Sequence, residues 1–231
     1  MPENTMAKGI FAHQPSLVTP TYKEQAYQMI KDAILFQRFQ VGVMYSQESI
    51  CKELGISRTP VREALLELQK EGFVTYSRNK GIQVVPITQT EAHDILEMRS
   101  YIEKLSAGLA AQRASAGELV VLQRCVSDTK LNLDSGDQSL LYHIDHQFHR
   151  TIATMTHNSW IIRTLDMLLS HYLRFEDTSI YLNKDNAKKI LDEHIEVCDA
   201  ILKHDSKQAE EAIDKHLSNS YRRTVNKFWY D

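Results

Sequence analysis

GISRTPVREALLELQKEGFV, residues Gly55–Val74, carries a helical apolar period with two arginines and a proline in its opening turns. Val61, Leu65 and Leu68 recur at i, i+4 and i+7, the period of an amphipathic helix, and Gly72 ends the run. Ser57 is a natural N-cap, which places Arg58, Thr59 and Pro60 in the first turn. Proline is harmless there because first-turn amides have no intrahelical acceptor. The positive end of the helix dipole favours an anion in front of it. Arg58 and Arg62 share one face at i, i+4, opposite the apolar stripe. An apolar back with a basic, polar N-terminal front is what a helix needs to enter a DNA major groove.

The flanks agree with that role. Upstream, Tyr22, Ala26, Met29, Ile30, Ala33 and Ile34 line one face of an expected helix. Ser46 can cap a short second helix carrying Ile50 and Leu54, and Gly55-Ile56-Ser57 forms a tight turn into the third. Downstream, the alternating runs Phe73–Tyr76 and Ile82–Val85 flank Ser77-Arg78-Asn79-Lys80-Gly81, a β-hairpin signal with a basic tip. Three helices and a basic wing make a winged helix-turn-helix over residues 20–86. Residues 1–19 are mixed and aperiodic and read as a mobile tail.

Pro86 marks a boundary, and Thr88-Gln89-Thr90-Glu91 then reads as a capping box. Helical periodicity continues through 89–113, 115–135, 138–156, 158–182, 185–204 and 206–229, with no strand. Residues 87–231 are therefore expected to form an all-α bundle of about six helices, and the fold class is mainly α. Charge is split along the same line. Residues 20–86 hold nine Lys/Arg against seven Asp/Glu, and residues 87–231 hold 17 against 22. Three scattered cysteines, Cys51, Cys125 and Cys198, suit neither a disulfide framework nor a C-x-x-C metal site. With no long apolar span and no signal-peptide pattern, a cytoplasmic protein that makes no membrane contact is expected.

The helical half holds a second constellation. In LLYHIDHQFHRTI, Asp145 and His149 lie at i, i+4 on the face carrying Leu141, Phe148 and Ile152. In KKILDEHIEVCDAIL, His194 lies on the stripe Ile190, Leu191, Ile195, Cys198 and Ile201. In AEEAIDKHLSNSY, His216 lies on the stripe Ala209, Ala212, Ile213 and Leu217. A lone histidine on an apolar face is most often a satisfied core residue. Three such histidines and an aspartate aimed at one core also suit a divalent cation, which would offset the cost of burying the carboxylate. The residues alone leave both readings open. His143 falls on a polar flank with Gln147 and Arg150, and His93 and His204 sit near helix ends. His146 has ligand spacing to His149, but its other neighbours, Tyr142 and Arg150, keep it outside the set.

SRTPVREALLELQKEGFV followed by a Gly-containing wing closely resembles the signature of the GntR family of bacterial transcription regulators. The helical remainder resembles the FadR-type domain called FCD, in its shorter six-helix version. The resemblance implies DNA contacts by Arg58, Thr59 and Arg62, with Gly81 at the wing tip in the minor groove. It implies a metal held by the D-x-x-x-H pair Asp145 and His149 with His194 and His216. Arg99, in ILEMRSYIEKLSAG, matches a position where that domain has an arginine facing an effector pocket; the alternative is an i, i+4 pair with Glu103. Departures are Glu48, where FadR-type members often carry arginine, and Gln37 and Val41, where Gly and Pro are usual. One oxygen and three nitrogens suit Zn, Ni or a Mn-like ion. The expected protein is a non-enzymic regulator, a repressor, that binds an operator in double-stranded DNA and responds to a small organic acid. Paired half-sites call for a homodimer. The alternatives are a metal-dependent hydrolase, for which an open metal position would serve, and a regulator whose metal is purely structural.

Overall fold

A computed structural model describes residues 20–35, 37–77, 80–135, 137–175, 181 and 183–230. The expected tail 1–19 and the wing-tip Arg78 lie outside the described residues. Contacts divide the chain into two compact units, one built from the helix up to Ile34 and from Phe39–Val85, the other from Leu35–Arg38 and from Pro86 onward.

The first unit contains α1 (Tyr22–Leu35), β1 (Met44–Tyr45), α2 (Gln47–Leu54), α3 (Arg58–Lys70), β2 (Val74–Ser77) and β3 (Gly81–Val84). Its core is formed by Ala26, Ile30 and Ile34 of α1, Ile50 of α2, Val61, Ala64, Leu65 and Leu68 of α3, and Phe73, Val74, Ile82 and Val84 of the sheet. Tyr22 and Met29, expected on the buried face of α1, are exposed instead, because the stripe is the narrower 26-30-34 row. The strand order is β1-β3-β2, antiparallel throughout. The short β1 escaped the sequence reading because two residues are too few to show alternation. It exists because Met44 and Tyr45 pair with Gln83 and Ile82 of the hairpin.

Local chemistry sets the joints. Ser46 caps α2 by accepting from the Ser49 amide at 3.0 Å. Gly55, at φ +66°, closes the helix in the left-handed conformation and donates to Cys51 O. Ser57 has the extended backbone of an N-cap, but its side chain makes no cap hydrogen bond. The start of α3 is braced differently: Gln47 Nε2 donates to Arg58 O at 2.9 Å, and Tyr76 OH donates to Gln47 Oε1 at 2.8 Å. Gly81, at φ +103°, is where β3 meets β1. A Cβ there would lie 1.9 Å from Tyr45 O.

The second unit contains α4 (Gln89–Arg113), α5 (Ala116–Asn132), α6 (Gln138–Met155), α7 (Ser159–Tyr172), α8 (Lys184–Leu202) and α9 (Ser206–Tyr230). Thr88 caps α4 through the Glu91 amide, and Ser115 with Glu118 forms a full capping box on α5. The helix expected over 158–182 ends at Tyr172. The amides of Arg174 and Phe175 fold back to His171 O and Tyr172 O, and Asn183 caps a new helix by accepting from Asp185 and Asn186. Helix α4 packs against α6, α7, α8 and α9. Small residues make that possible: Ala107, Ala110 and Ala111 are fully buried beside Phe148, Ile152, Val197, Ile201 and Ile213. Cys125 and Cys198 are buried free thiols in this core, and Cys51 is a half-buried one.

Candidate functional site

The DNA-facing candidates of the first unit are Arg58, Thr59 and Arg62, all exposed on the first turns of α3, while Val61 and Leu65 behind them are fully buried. Arg58 Nη2 sits 3.3 Å from Glu48 Oε2, an ion pair between two exposed side chains. Lys80 is exposed beside the hairpin turn, where its amide donates to Ser77 O at 2.9 Å. Gly81 is buried against the β1 backbone, so its missing side chain serves the sheet.

In the second unit, His149 of α6, His194 of α8 and His216 of α9 are buried and bring one ring nitrogen each within 4.8 Å of the others. Asp145, one turn before His149, is also buried. Its Oδ1 lies 3.3 Å from His194 Nε2 and its Oδ2 lies 3.8 Å from His149 Nε2. The four residues expected to act together are thus adjacent. His143 is exposed, and His146 is half-buried against the Tyr142 ring, 4.4 Å between centroids.

Two carboxylates outside the expected metal set organise the cluster; the sequence offers Glu103 only as a possible partner of Arg99. Glu103 of α4 pairs with His149 Nδ1, and Glu193 of α8 lies 2.9 Å from His216 Nδ1. Each carboxylate requires the proton to be on Nδ1, which leaves the Nε2 lone pair free. The Nε2 atoms of His149 and His216 then face each other at 3.3 Å. His194 Nε2 is buried and has no hydrogen-bond partner. Its ring is stacked on Phe148 at 4.0 Å. Lone pairs facing one another beside a carboxylate are a donor set for a cation. Two nitrogens bound to one tetrahedral ion at about 2.0–2.1 Å lie roughly 3.3 Å apart.

The electrostatics agree. Burial pushes the His194 and His216 imidazoles down, His194 furthest, and a neighbouring ring adds to the effect. At His149 burial is outweighed by Glu103, and the net shift is upward. Burial would raise both glutamates, but Arg99 and His149 hold Glu103 at about 2, and His216 and Arg223 hold Glu193 at about 2. Asp145 is likewise held well below the carboxylate range, against burial, by His194 and His149.

Arg99 is buried, donates from Nε to Glu103 Oε1 at 2.7 Å and stacks on the Tyr172 ring at 4.2 Å. It makes the Glu103 pair and also lines a cavity of about 610 Å³ between α4 and α9, with Ser100, Leu217, Ser220 and Tyr221. Signals for the missed residues were present. Arg99, Glu103 and Ala107 continue the buried row begun by Ala92 and Ile95, and Glu193 lies between Ile190 and Val197 on one face of α8.

An arginine-fronted helix on a packed three-helix core, with a hairpin at its side, is a DNA reader, and this chain is a DNA-binding transcription regulator. Residues 22–84 match the model for bacterial regulatory proteins of the gntR family, and residues 94–219 match that for the FCD domain. The chain belongs to the GntR family, in the branch that carries an FCD domain. It is 24% identical over 204 residues to an uncharacterized HTH-type transcriptional regulator, YdhC, of Bacillus subtilis, covering 87% of this chain and 89% of that one. It is 26% identical over 209 residues to the Glc operon transcriptional activator of Escherichia coli, covering 80% of each. In fold it is similar to E. coli McbR/YncC, with TM-score 0.79 at 16% identity over 92% of this chain and all of that one. Among the described residues, no helix is long and apolar enough to cross a membrane.

Proposed function

We propose that the chain is a homodimeric, metal-containing repressor that leaves its operator when a small organic acid binds the FCD domain. The observation that carries the metal reading is the inward-facing set of His149, His194 and His216 Nε2 atoms beside Asp145, with the other ring nitrogens of His149 and His216 held by glutamates. These four residues would hold a divalent ion of the Zn, Ni or Mn kind, which supplies positive charge and open coordination positions for a carboxylate. Arg99 supports the effector reading. It borders the α4/α9 cavity on one side and reaches Glu103, and through it His149, on the other. An acid drawn to that guanidinium would bind in the cavity and be coupled to the metal site through Glu103 and His149.

On DNA, Arg58, Thr59 and Arg62 would read the major groove, and Lys80 beside the wing turn the neighbouring backbone or minor groove, with Gly81 holding the wing on β1. Dimerisation is supported by an unusually apolar exposed row on α4, Met98, Tyr101 and Leu105, with Trp160 and Met167 exposed on the neighbouring α7. The test selects an operator from a randomised duplex pool with the full chain. It then measures binding of the metal-loaded protein to that operator with and without a panel of two- to four-carbon hydroxy and keto acids. Release by at least one acid, abolished in Arg99→Met, is expected. Unchanged binding across the panel would leave the metal a structural role and remove the sensing one. Tighter binding with acid would replace repressor by an effector-dependent activator.

A further inference from the structure

The acidic residue at the DNA-reading surface does not fit a simple phosphate-binding role. Glu48 occupies the first turn of α2, and its side chain is 80% exposed. It faces Arg58 at 3.3 Å, while Gln47 holds the Arg58 carbonyl and is itself held by Tyr76 of the wing strand. The two charged side chains are thus presented side by side by a braced backbone, at the N-terminal end of α3.

We propose that Glu48 is a specificity-determining residue: it withholds Arg58 from phosphate, so that this arginine contributes to binding only where a base edge displaces the carboxylate. The inference rests on the DNA-binding reading. An exposed ion pair contributes little to folding stability, so its consequence lies in recognition. A guanidinium neutralised by a neighbour releases no counterion when it meets the phosphate backbone, and the carboxylate repels that backbone. Both effects weaken sequence-independent binding. Guanine offers O6 and N7 as a bidentate acceptor pair for arginine, a contact that exists only where the sequence supplies it, whereas phosphates line every duplex. Glu48 therefore costs more on random DNA than on an operator with guanine at the Arg58 position.

The experiment uses the full chain and two duplexes, one of random sequence and one selected from a randomised pool by the wild-type protein. Glu48→Gln, similar in shape without the charge, is expected to tighten binding to the random duplex roughly three- to tenfold near 0.1 M salt. The slope of log affinity against log salt should steepen by about one contact. The ratio of selected to random affinity should fall, and the gain on random DNA should shrink to the part due to carboxylate repulsion, less than half its size, in an Arg58→Ala background. Three results would overturn the inference: unchanged affinity and slope, the same gain with Arg58 removed, or a loss on the selected duplex larger than on the random one. The last would mean that Glu48 reads a base itself. If wild type bound neither duplex, the DNA-binding reading would fall instead, a distinguishable outcome.

Discussion

The Nε2 atoms of His149 and His216, residues 67 apart in sequence, stand 3.3 Å apart in the bundle core, each with its Nδ1 engaged by a glutamate. The contact is stable only if something positive lies between the two lone pairs. A proton shared between two rings is one solution. With His194 Nε2 also unpartnered and Asp145 alongside, a metal ion is the one that uses every donor.

The full chain is therefore expected to bind one divalent ion per protomer. His194→Ala should lose the metal and lower the melting temperature, whereas His143→Ala, altering an exposed side chain, should do neither. Elemental analysis of both variants decides it. Metal retained in the first or lost in the second would remove the site.

Glu103→Gln and Glu193→Gln test the outer carboxylates separately. Each leaves its histidine without the group that orients it and raises its basicity, so metal affinity should drop about ten- to a hundredfold. Competition with a chromophoric chelator gives the number. Losses under twofold would show that the glutamates serve packing alone.

Acid stability of the metal-stripped protein follows from the shifted groups. His194 and His216 are held below the ordinary 6.5, so under pH 6.5 the unfolded chain takes up more protons and stability falls as pH drops. Glu103 and Glu193, near 2, add a second loss from the ordinary 4.5 down toward 2. His149, shifted upward, has the opposite sign: its contribution is complete below 6.5 and is lost as pH rises through its folded value. Two histidines against one predict a lower melting temperature at pH 5 than at pH 7, then a steeper fall below 4.5. A midpoint rising from pH 7 to pH 5 would contradict this balance.

Arg62→Ala should leave the fold unchanged, because the side chain is exposed, and should weaken selected-duplex binding by about 1–3 kcal/mol. Fluorescence anisotropy at two salt concentrations measures it, and wild-type affinity would remove α3 as the reading helix.

Gly81→Ala should act without touching DNA directly. The residue sits at φ +103° and the new Cβ would meet Tyr45 O, so the winged unit should lose about 1–3 kcal/mol. Thermal unfolding is the readout, and a melt indistinguishable from wild type would mean that β1 moves aside at no cost.

Most of the architecture was legible in the chain because it is written at short range. Period 3.6 with Val61, Leu65 and Leu68, the cap residues Ser46 and Thr88, and turn glycines such as Gly55 each act within a few residues. The helices and hairpin follow from them. Asp145, His149, His194 and His216 were legible for a similar reason, since each sits on an apolar stripe that must face a core. What the stripes do not encode is which buried polar groups meet across helices. Glu103 and Glu193 lie on the buried rows of their own helices, but those rows do not say what each carboxylate meets. Only the packing of α4 on α6, and of α8 on α9, sets them against His149 and His216. Strand β1 and the Glu48–Arg58 pair have the same origin: two residues of extended chain or two exposed charges carry no local signal. They were decided by where the tertiary fold brought distant backbone and side chains together.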